Sequence, residues 1–511
     1  MMRAESKHWG AAPVAWAPVA WLIGAIVILA WGEALFAWFA NDDFLWLDIS
    51  HLHSVWTSFS GSAGVINDFR PVLRVAFWID WLLFGSQAFG WHLVNLLVHG
   101  AVAFAFARLI APWLGDRVAL PAAMLFAASP LLQENVVWIS GLSGSLSCLL
   151  GLLSLLAFQR YLNISRIGWL VAACAADLAA MACYEPLMLL PLAHLGMMAA
   201  QRKFPRQSLW LFALHLALVI YRRMVLGGYV SYGYRPISIL GLHALWHDYH
   251  PYWKMLHVWP ALAIAGTLAL LLPRNRDLRL AFVAALAGTA IALLPFAIFT
   301  GAASRFFYAA MLGMGLLIAL WLHAVTRLLP RWIALAVLAT LTGLLLGREI
   351  HHARAETDDW VAAGLLGQQL VAQIATAEPN PDPNALHALL DFPLSVGNGE
   401  LFFSYPDRAI RRFGRVKFDA AWGGHQIVRL RGEPQMVYLR KLLRQEDQSR
   451  IASGQPSLAC LDAKLAAAQN PEMFLRSAAA TCGLDVLRYN NGAITHVSDD
   501  EFFEWYEENK K

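Results

Sequence analysis

Runs of apolar residues long enough to cross a bilayer recur through the first two-thirds of this 511-residue chain, and no other feature limits its folding so tightly. About 20 apolar residues in a helix span the hydrocarbon core. Eleven segments qualify on that basis: 14–40, 88–107, 118–133, 136–159, 167–184, 186–200, 207–221, 255–272, 280–299, 306–326 and 330–347. In lipid every backbone N–H and C=O must be satisfied inside the protein, so such segments fold as helices and pack into a bundle. Hydrophobic residues make up 58% and charged residues 14%, which excludes a water-exposed globule, a disordered chain, a disulfide-stapled secreted scaffold and a nucleic-acid binder. The 22 Trp and 27 Phe suit a surface that meets lipid headgroups.

Charge divides the chain in two. Residues 1–347 carry 21 Lys/Arg and 13 Asp/Glu, mostly between apolar runs, whereas residues 348–511 carry 18 and 22, a density ordinary for a soluble domain. The expected architecture is mainly α: a polytopic membrane helix bundle of about 11 transmembrane helices over 1–347, followed by a small α+β extracytoplasmic domain over 348–511. With a cytoplasmic N-terminus, alternation of the spans places 14 of the 21 basic residues inside, as the positive-inside bias requires. An odd number of spans then puts the tail outside, in the periplasm if the membrane is a bacterial inner membrane. The first run follows Arg3 and Lys7, is too long for a signal-peptide core and shows no small-residue cleavage site, so it reads as a signal anchor. Cys148, Cys174 and Cys183 fall within spans as packing residues, and an oxidising compartment would permit a Cys460–Cys482 disulfide that spacing does not decide.

The acids of the bundle are unevenly placed. Asp42, Asp43, Asp48, Asp68, Asp80, Glu134, Glu185 and Asp248 all map to the outer side, which the rule for basic residues does not demand. An outward-facing polar site is the simplest explanation. Asn41-Asp42-Asp43-Phe44 follows the first span directly, and two adjacent carboxylates raise each other's pKa unless a cation or a proton donor lies between them. The pair reads either as a general base at the membrane surface or as a solvated helix end. Residues 44–87 alternate aromatic with charged side chains, the look of amphipathic helices lying in the headgroup layer. Within them Pro71 opens a helix on which Arg70 and Arg74 share a face, spaced to bind a phosphate or to snorkel to headgroups. His92, Asn95 and His99 form one helical stripe, for interhelical hydrogen bonds or for a wet cavity. Asp177 and Glu33 lie inside spans, as paired or protonated structural groups.

These pieces, in order, resemble the GT-C superfamily of integral-membrane glycosyltransferases, which take sugars from polyprenyl-phosphate carriers, and within it the transmembrane O-mannosyltransferase branch. The resemblance is carried by Asn41-Asp42-Asp43, Phe69-Arg70-Pro71, Phe84-Gly85 with His92 to His99, Ser129-Pro130 through Glu134 to Trp138-Ile139-Ser140-Gly141, Tyr184-Glu185-Pro186 with Pro191, and Ser304-Arg305-Phe306-Phe307-Tyr308. It covers roughly residues 15–320. It departs at Leu142-Ser143 and at Tyr184, where relatives often carry a basic residue, and no TPR repeat is found in the tail. The resemblance implies inverting transfer of a sugar to an acceptor hydroxyl on a protein or an envelope glycan such as lipopolysaccharide, on the outer face. It implies Asp42 as base with Asp43 beside it, and Glu134 as a second catalytic acid. Arg70, Arg74, His92, His99, Glu185, Arg305 and Tyr308 would bind substrate. A divalent cation, Mg or Mn, held by Asp43 and Glu134 is compatible with it. Partners would be the lipid-linked donor, the acceptor and the bilayer, with no nucleic acid. A secondary transporter or a non-catalytic envelope scaffold are the alternatives; the sequence shows no internal repeat of the kind transporters carry.

In the tail, Arg348 to Ala377 reads as helix, 378–384 as a loop, and His387–Phe392, Leu401–Ser404, Gln426–Leu430 and Gln435–Arg444 as strands. Gly397-Asn398-Gly399 reads as a tight turn, Leu461–Ala468 and Pro471–Ala480 as helices, and the acidic residues from Asp499 onward as a solvated end.

Overall fold

The computed structural model describes residues 16–60, 69–226, 276–298, 303–327, 329–380, 386–390, 392–393, 395–401, 409–414, 427–429, 484–490, 492–498 and 500–504. Its principal helices are α1 (Trp16–Trp31), α2 (Asp43–Leu52), α3 (Pro71–Phe84), α4 (Ala88–Leu114), α5 (Asp116–Ala127), α6 (Leu142–Ile164), α7 (Ile167–Met181), α8 (Leu190–Gln201), α9 (Leu209–Leu226), α10 (Arg276–Leu293), α11 (Tyr308–Thr326) and α12 (Arg331–Ala377). The chain divides into two compact units, one of Met1–Phe36 with Ser50–Asp358 and one of Ala37–Ile49 with Asp359–Lys511. Both α2 and α12 run through a boundary between them. The predicted domain limit at 347 falls inside α12, because nothing between Arg331 and Ala377 interrupts the helix.

Seven helical stretches among the described residues are long and apolar enough to cross a membrane: Trp16–Phe36, Ala88–Leu114, Ile139–Ile164, Arg206–Leu226, Leu278–Phe296, Ser304–Thr326 and Arg331–Ala377. Helix α7 is apolar and shorter. The predicted spans at 118–133 and 186–200 form helices of only 12 residues, α5 and α8, roughly 18 Å each against a core of about 30 Å. Helix α5 stops where Pro130 opens a 3-10 turn, and α8 begins only after the 3-10 turn Glu185–Leu189. The span predicted at 255–272 lies outside the described residues, as do Asp68, Asp248, Cys460 and Cys482.

In the first unit α4 packs against α1, α5 and α6, α6 against α7, and α11 against α5 and α10. Phe158, Tyr161, Leu170, Cys174, Met198 and Leu211 close one core where α6, α7, α8 and α9 meet. Trp21, Leu83, Trp210 and Met224 are large, apolar and exposed, as lipid-facing residues are. The predicted interfacial stretch is helical in α2 and α3. Phe77 is fully buried while its neighbour Trp78 is exposed, so α3 is two-faced as its pattern requires. Gly85 ends α3 with φ +52°, a left-handed conformation that a Cβ would strain.

The second unit carries a four-stranded sheet in the order β4-β1-β5-β6, from β1 (Leu386–Leu390), β4 (Ile427–Arg429), β5 (Leu484–Asn490) and β6 (Ala493–Val497). Strand β1 is parallel to β4 and β5, and β5 turns back antiparallel into β6. The predicted Gly397–Gly399 turn joins β2 (Ser395–Val396) to β3 (Gly399–Glu400). Most of Leu401–Ser404, all of Gln435–Arg444 and the two predicted late helices lie outside the described residues.

Candidate active site

Arg70 stands where α3 begins. Pro71 occupies the first helical position, where a missing N–H breaks no helical bond, and the Val72 N–H donates to the Ala182 carbonyl at 3.2 Å. This link ties the start of α3 to the end of α7 and brings Arg70 to Glu185. Arg70 Nη2 donates to Glu185 Oε2 at 3.0 Å, and its Nε lies 3.2 and 3.3 Å from the two carboxylate oxygens. From α9, Arg222 Nη2 donates to Oε1 at 2.8 Å. All three side chains are buried. Burial favours the neutral acid, but the charges of Arg70 and Arg222, with a backbone hydrogen bond at Glu185, outweigh it and hold the carboxyl below its usual range.

Glu134 forms a second centre. It lies in the short helix Gln133–Val136, against Gly141, where any Cβ would collide with the Glu134 carbonyl. Its carboxylate accepts the backbone N–H of Ser304 at 3.3 Å and of Arg305 at 3.4 Å, and Arg305 Nη1 at 2.7 Å. The acid thus caps the 3-10 turn Ser304–Phe307 and orients the guanidinium, which lies 5.4 Å from the Trp138 ring centre and 5.2 Å from that of Phe306.

Aromatic rings join the two centres. Arg70 sits 5.0 Å from the Tyr184 ring, Tyr184 lies 6.4 Å from Phe296, and Phe296 stacks on Phe306 at 4.4 Å. Four sequence-predicted residues, Arg70, Glu134, Glu185 and Arg305, are therefore brought together from the start of α3, the turns before α8 and α11, and the Gln133–Val136 helix.

Other predicted residues take structural places. His99 Nε2 faces the Ala127 carbonyl at 3.0 Å, so that nitrogen carries the proton, and Nδ1 accepts from the Tyr308 hydroxyl at 2.8 Å. His99 and Tyr308 thus bond α4 to α5 and α11, deep in the bundle. Asn95 donates to the Trp138 carbonyl at 2.9 Å, and His92 and Arg74 are buried on α4 and α3. Asp42 and Asp43 belong to the second unit. Asp43 is 1% exposed and its Oδ2 accepts the Ala40 N–H at 2.9 Å, closing the turn that starts α2, whereas Asp42 is half-buried.

No protein-family model matches the chain. Over 129 residues it is 32% identical to the protein O-mannosyl-transferase tmtc2 of Xenopus laevis, a stretch that is 24% of this chain and 15% of that relative, so the chain spans less than a fifth of that relative's length. The crystal structure of ArnT from Cupriavidus metallidurans bound to undecaprenyl phosphate aligns with 86% of this chain and 95% of its own, at TM-score 0.49 and 14% identity. The crystal structure of the Archaeoglobus fulgidus oligosaccharyltransferase, tethered with an acceptor peptide, aligns with 92% of this chain and 68% of its own, at TM-score 0.50 and 12% identity. The fold is GT-C.

Sequence reasoning passed over two residues that the structure brings here, Arg222 and Phe296. The charged pair Arg222-Arg223 directly after a span was the available signal. Asp177 has a partner, as an acid inside a span requires: His215 Nδ1 lies 2.6 Å from its Oδ2, while Nε2 faces the Met188 carbonyl at 3.0 Å.

The acids proposed from sequence to hold a metal do not fit one. The Glu134 carboxylate already accepts three hydrogen bonds, one from a guanidinium whose charge opposes a dication, and the Asp43 carboxylate is engaged in its own turn. Glu378, Asp485 and His496 lie close enough to hold an ion. Yet both ring nitrogens of His496 face acceptors, the Ala377 carbonyl at 3.0 Å and Asp485 Oδ1 at 3.1 Å, so an ion would have to displace one of these bonds. The bond to the Ala377 carbonyl raises its pKa, against partial burial and with help from Asp485 and Glu378.

Asp80 of α3, outside the membrane-crossing helices, is buried, and its Oδ2 has no hydrogen-bond partner among the described residues. Desolvation pushes its carboxyl up to about 7. From about pH 4 to that value the folded protein keeps a proton that the unfolded chain has lost, so stability falls as pH rises and levels off above it. Asp80→Asn removes this slope. Thermal unfolding in detergent should show the variant gaining on the order of 4 kcal/mol over wild type at pH 8 and nothing at pH 4. A variant with the wild-type slope overturns the assignment.

Proposed function

We propose that the protein is a membrane glycosyltransferase. It moves a sugar from a polyprenyl-phosphate carrier to a hydroxyl of a protein or envelope glycan, on the periplasmic face of a bacterial inner membrane. The observation that carries this reading is the pair of guanidinium–carboxylate centres, Arg70–Glu185–Arg222 and Glu134–Arg305, joined by the Tyr184–Phe296–Phe306 rings at one end of a GT-C bundle. Guanidinium forks match phosphate geometry, and Glu185 and Glu134 hold the forks in fixed orientation, which spares reorganisation when charge develops on the leaving group.

In the proposed reaction the acceptor oxygen attacks the anomeric carbon from the face opposite the carrier, inverting that centre. Its proton passes to the Asp42 carboxylate. The bond from the anomeric carbon to the phosphate oxygen breaks, and the phosphate leaves with the electron pair, its charge met by Arg70 and Arg305. Asp43 shapes the turn that presents Asp42. The stacked rings offer flat apolar surface to a sugar or to the first isoprene units of the carrier.

Mass spectrometry of envelope glycans and glycoproteins, with and without the gene, tests this reading. One acceptor losing one hexose or pentose in the deletion strain is the expected result and names both substrates. Identical glycans in the two strains under expressing conditions overturn it.

A further inference from the structure

Residues 37–49 follow α1 in the chain yet belong to the second unit, where three other parts hold them. Asn41, with φ +45° in the left-handed region that asparagine tolerates, donates its N–H to the Leu401 carbonyl at 2.9 Å. Gly364 of α12 lies so near that a Cβ there would sit 2.7 Å from the Trp38 nitrogen, so helix and segment meet backbone to backbone. The π-helical turn Ile410–Gly414 closes the third side. Its Phe413 lies 5.0, 5.7 and 6.0 Å from the rings of Trp38, Phe39 and Phe44, and its Arg412 donates from Nη2 to Asp48 Oδ1 at 2.7 Å. Asp48 is 2% exposed, so the ion pair is closed off from water on the acid's side.

Two local bonds close the turn that begins α2: the Asp43 N–H donates to the Ala40 carbonyl and the Ala40 N–H to Asp43 Oδ2, each at 2.9 Å. Such bonds fix the shape of a four-residue turn and leave its placement undetermined. Placement comes from contacts distant in sequence. A buried ion pair adds little net stability but specifies register, and an aromatic cluster excludes alternative packings.

We propose that the extramembrane unit is the positioning device for the acidic motif. Arg412, acting through Asp48, and Phe413, acting through the Trp38–Phe39–Phe44 cluster, fix the turn that presents the Asp42 carboxylate. This rests on the reading of Asp42 as the base. Arg412 and Phe413 are positioning residues and touch no substrate. A general base must lie within hydrogen-bond reach of the proton it takes, so a shift of about 1 Å in the turn costs roughly a hundredfold in rate.

The full-length protein in nanodiscs carries the test, with Arg412→Ala, Arg412→Lys, Phe413→Ala and the exchanged pair Asp48→Arg/Arg412→Asp. Amide hydrogen exchange over 37–49 should quicken about tenfold or more in Arg412→Ala and Phe413→Ala, while α4 and α6 keep wild-type protection. In the deletion strain complemented with each variant at equal membrane abundance, the glycan modification should fall roughly tenfold to a hundredfold for the two Ala variants. Arg412→Lys and the exchanged pair should recover most of it, which a mere loss of folding would not do. Wild-type exchange over 37–49 in both Ala variants, or full modification despite faster exchange, overturns the positioning role while Asp42→Asn stays inactive. An active Asp42→Asn overturns the base assignment instead, and the exchange result still decides whether the clamp exists.

Discussion

Asp42→Asn reduces glycan modification by about a hundredfold to ten-thousandfold while leaving membrane abundance and thermal unfolding at wild-type values. The change removes the basic oxygen and keeps the size and hydrogen-bonding capacity of the side chain, so a loss reports chemistry rather than folding. The neighbouring acid provides the control. Asp43 is buried and its Oδ2 accepts the Ala40 N–H, a contact the Oδ1 of Asn repeats, so Asp43→Asn retains the turn and loses far less. Asp43→Ala removes the side-chain acceptor of the Ala40 N–H and disturbs the turn. Complementation of the deletion strain measures all three. Equal losses in Asp42→Asn and Asp43→Asn would mean that the two carboxylates act as one unit, and retention of activity in Asp42→Asn removes it from the mechanism.

The sequence made the membrane helices legible because lipid sets a length and a polarity that a single segment satisfies or fails on its own. Helix α5 falls short yet is apolar because protein buries most of it, and composition alone does not separate that from burial by lipid; α8 buries only His194 and Met198 and is cut short by the 3-10 turn Glu185–Leu189. The stripe His92-Asn95-His99 was legible as a helix face, and the structure gives its last member an interhelical bond to Tyr308, the plainer of its two readings. Glu134 and Arg305 were each visible as outer polar residues, but their pairing spans 171 positions and has no local signature. The capture of residues 37–49 by the second unit is more remote still. Arg412 and Asp48 are 364 positions apart, and nothing local to either signals the pair. Strands β5 and β6 pair antiparallel on either side of Asn491-Gly492, a dipeptide that is a hairpin signal in sequence and was passed over.

Glu185→Ala is expected to be the most destabilising single change in the bundle. It leaves Arg70 and Arg222 facing each other in a buried site with their shared counter-charge gone, and removing one partner of a buried charge network costs about 3–5 kcal/mol. Loss of folded protein is the expected observation, so the informative variant is Glu185→Gln, which keeps the acceptor oxygen and the volume and removes only the charge. The acid dependence then separates electrostatics from packing. The carboxyl of Glu185 is held below its usual range, so the unfolded chain binds its proton at higher pH than the folded protein does. Its stabilising contribution is full above the unfolded pKa of about 4.3 and is lost as pH falls through the lower folded value. Wild type should therefore unfold at lower temperature as pH drops below about 4.3, and Glu185→Gln should be less stable than wild type at pH 7, with the gap narrowing as pH falls. A constant difference between the two at every pH would show that Glu185 acts by shape and hydrogen bonding alone. The two arginines would then be oriented by packing against Tyr184 and the end of α9, and the carboxylate would not be what presets them for phosphate.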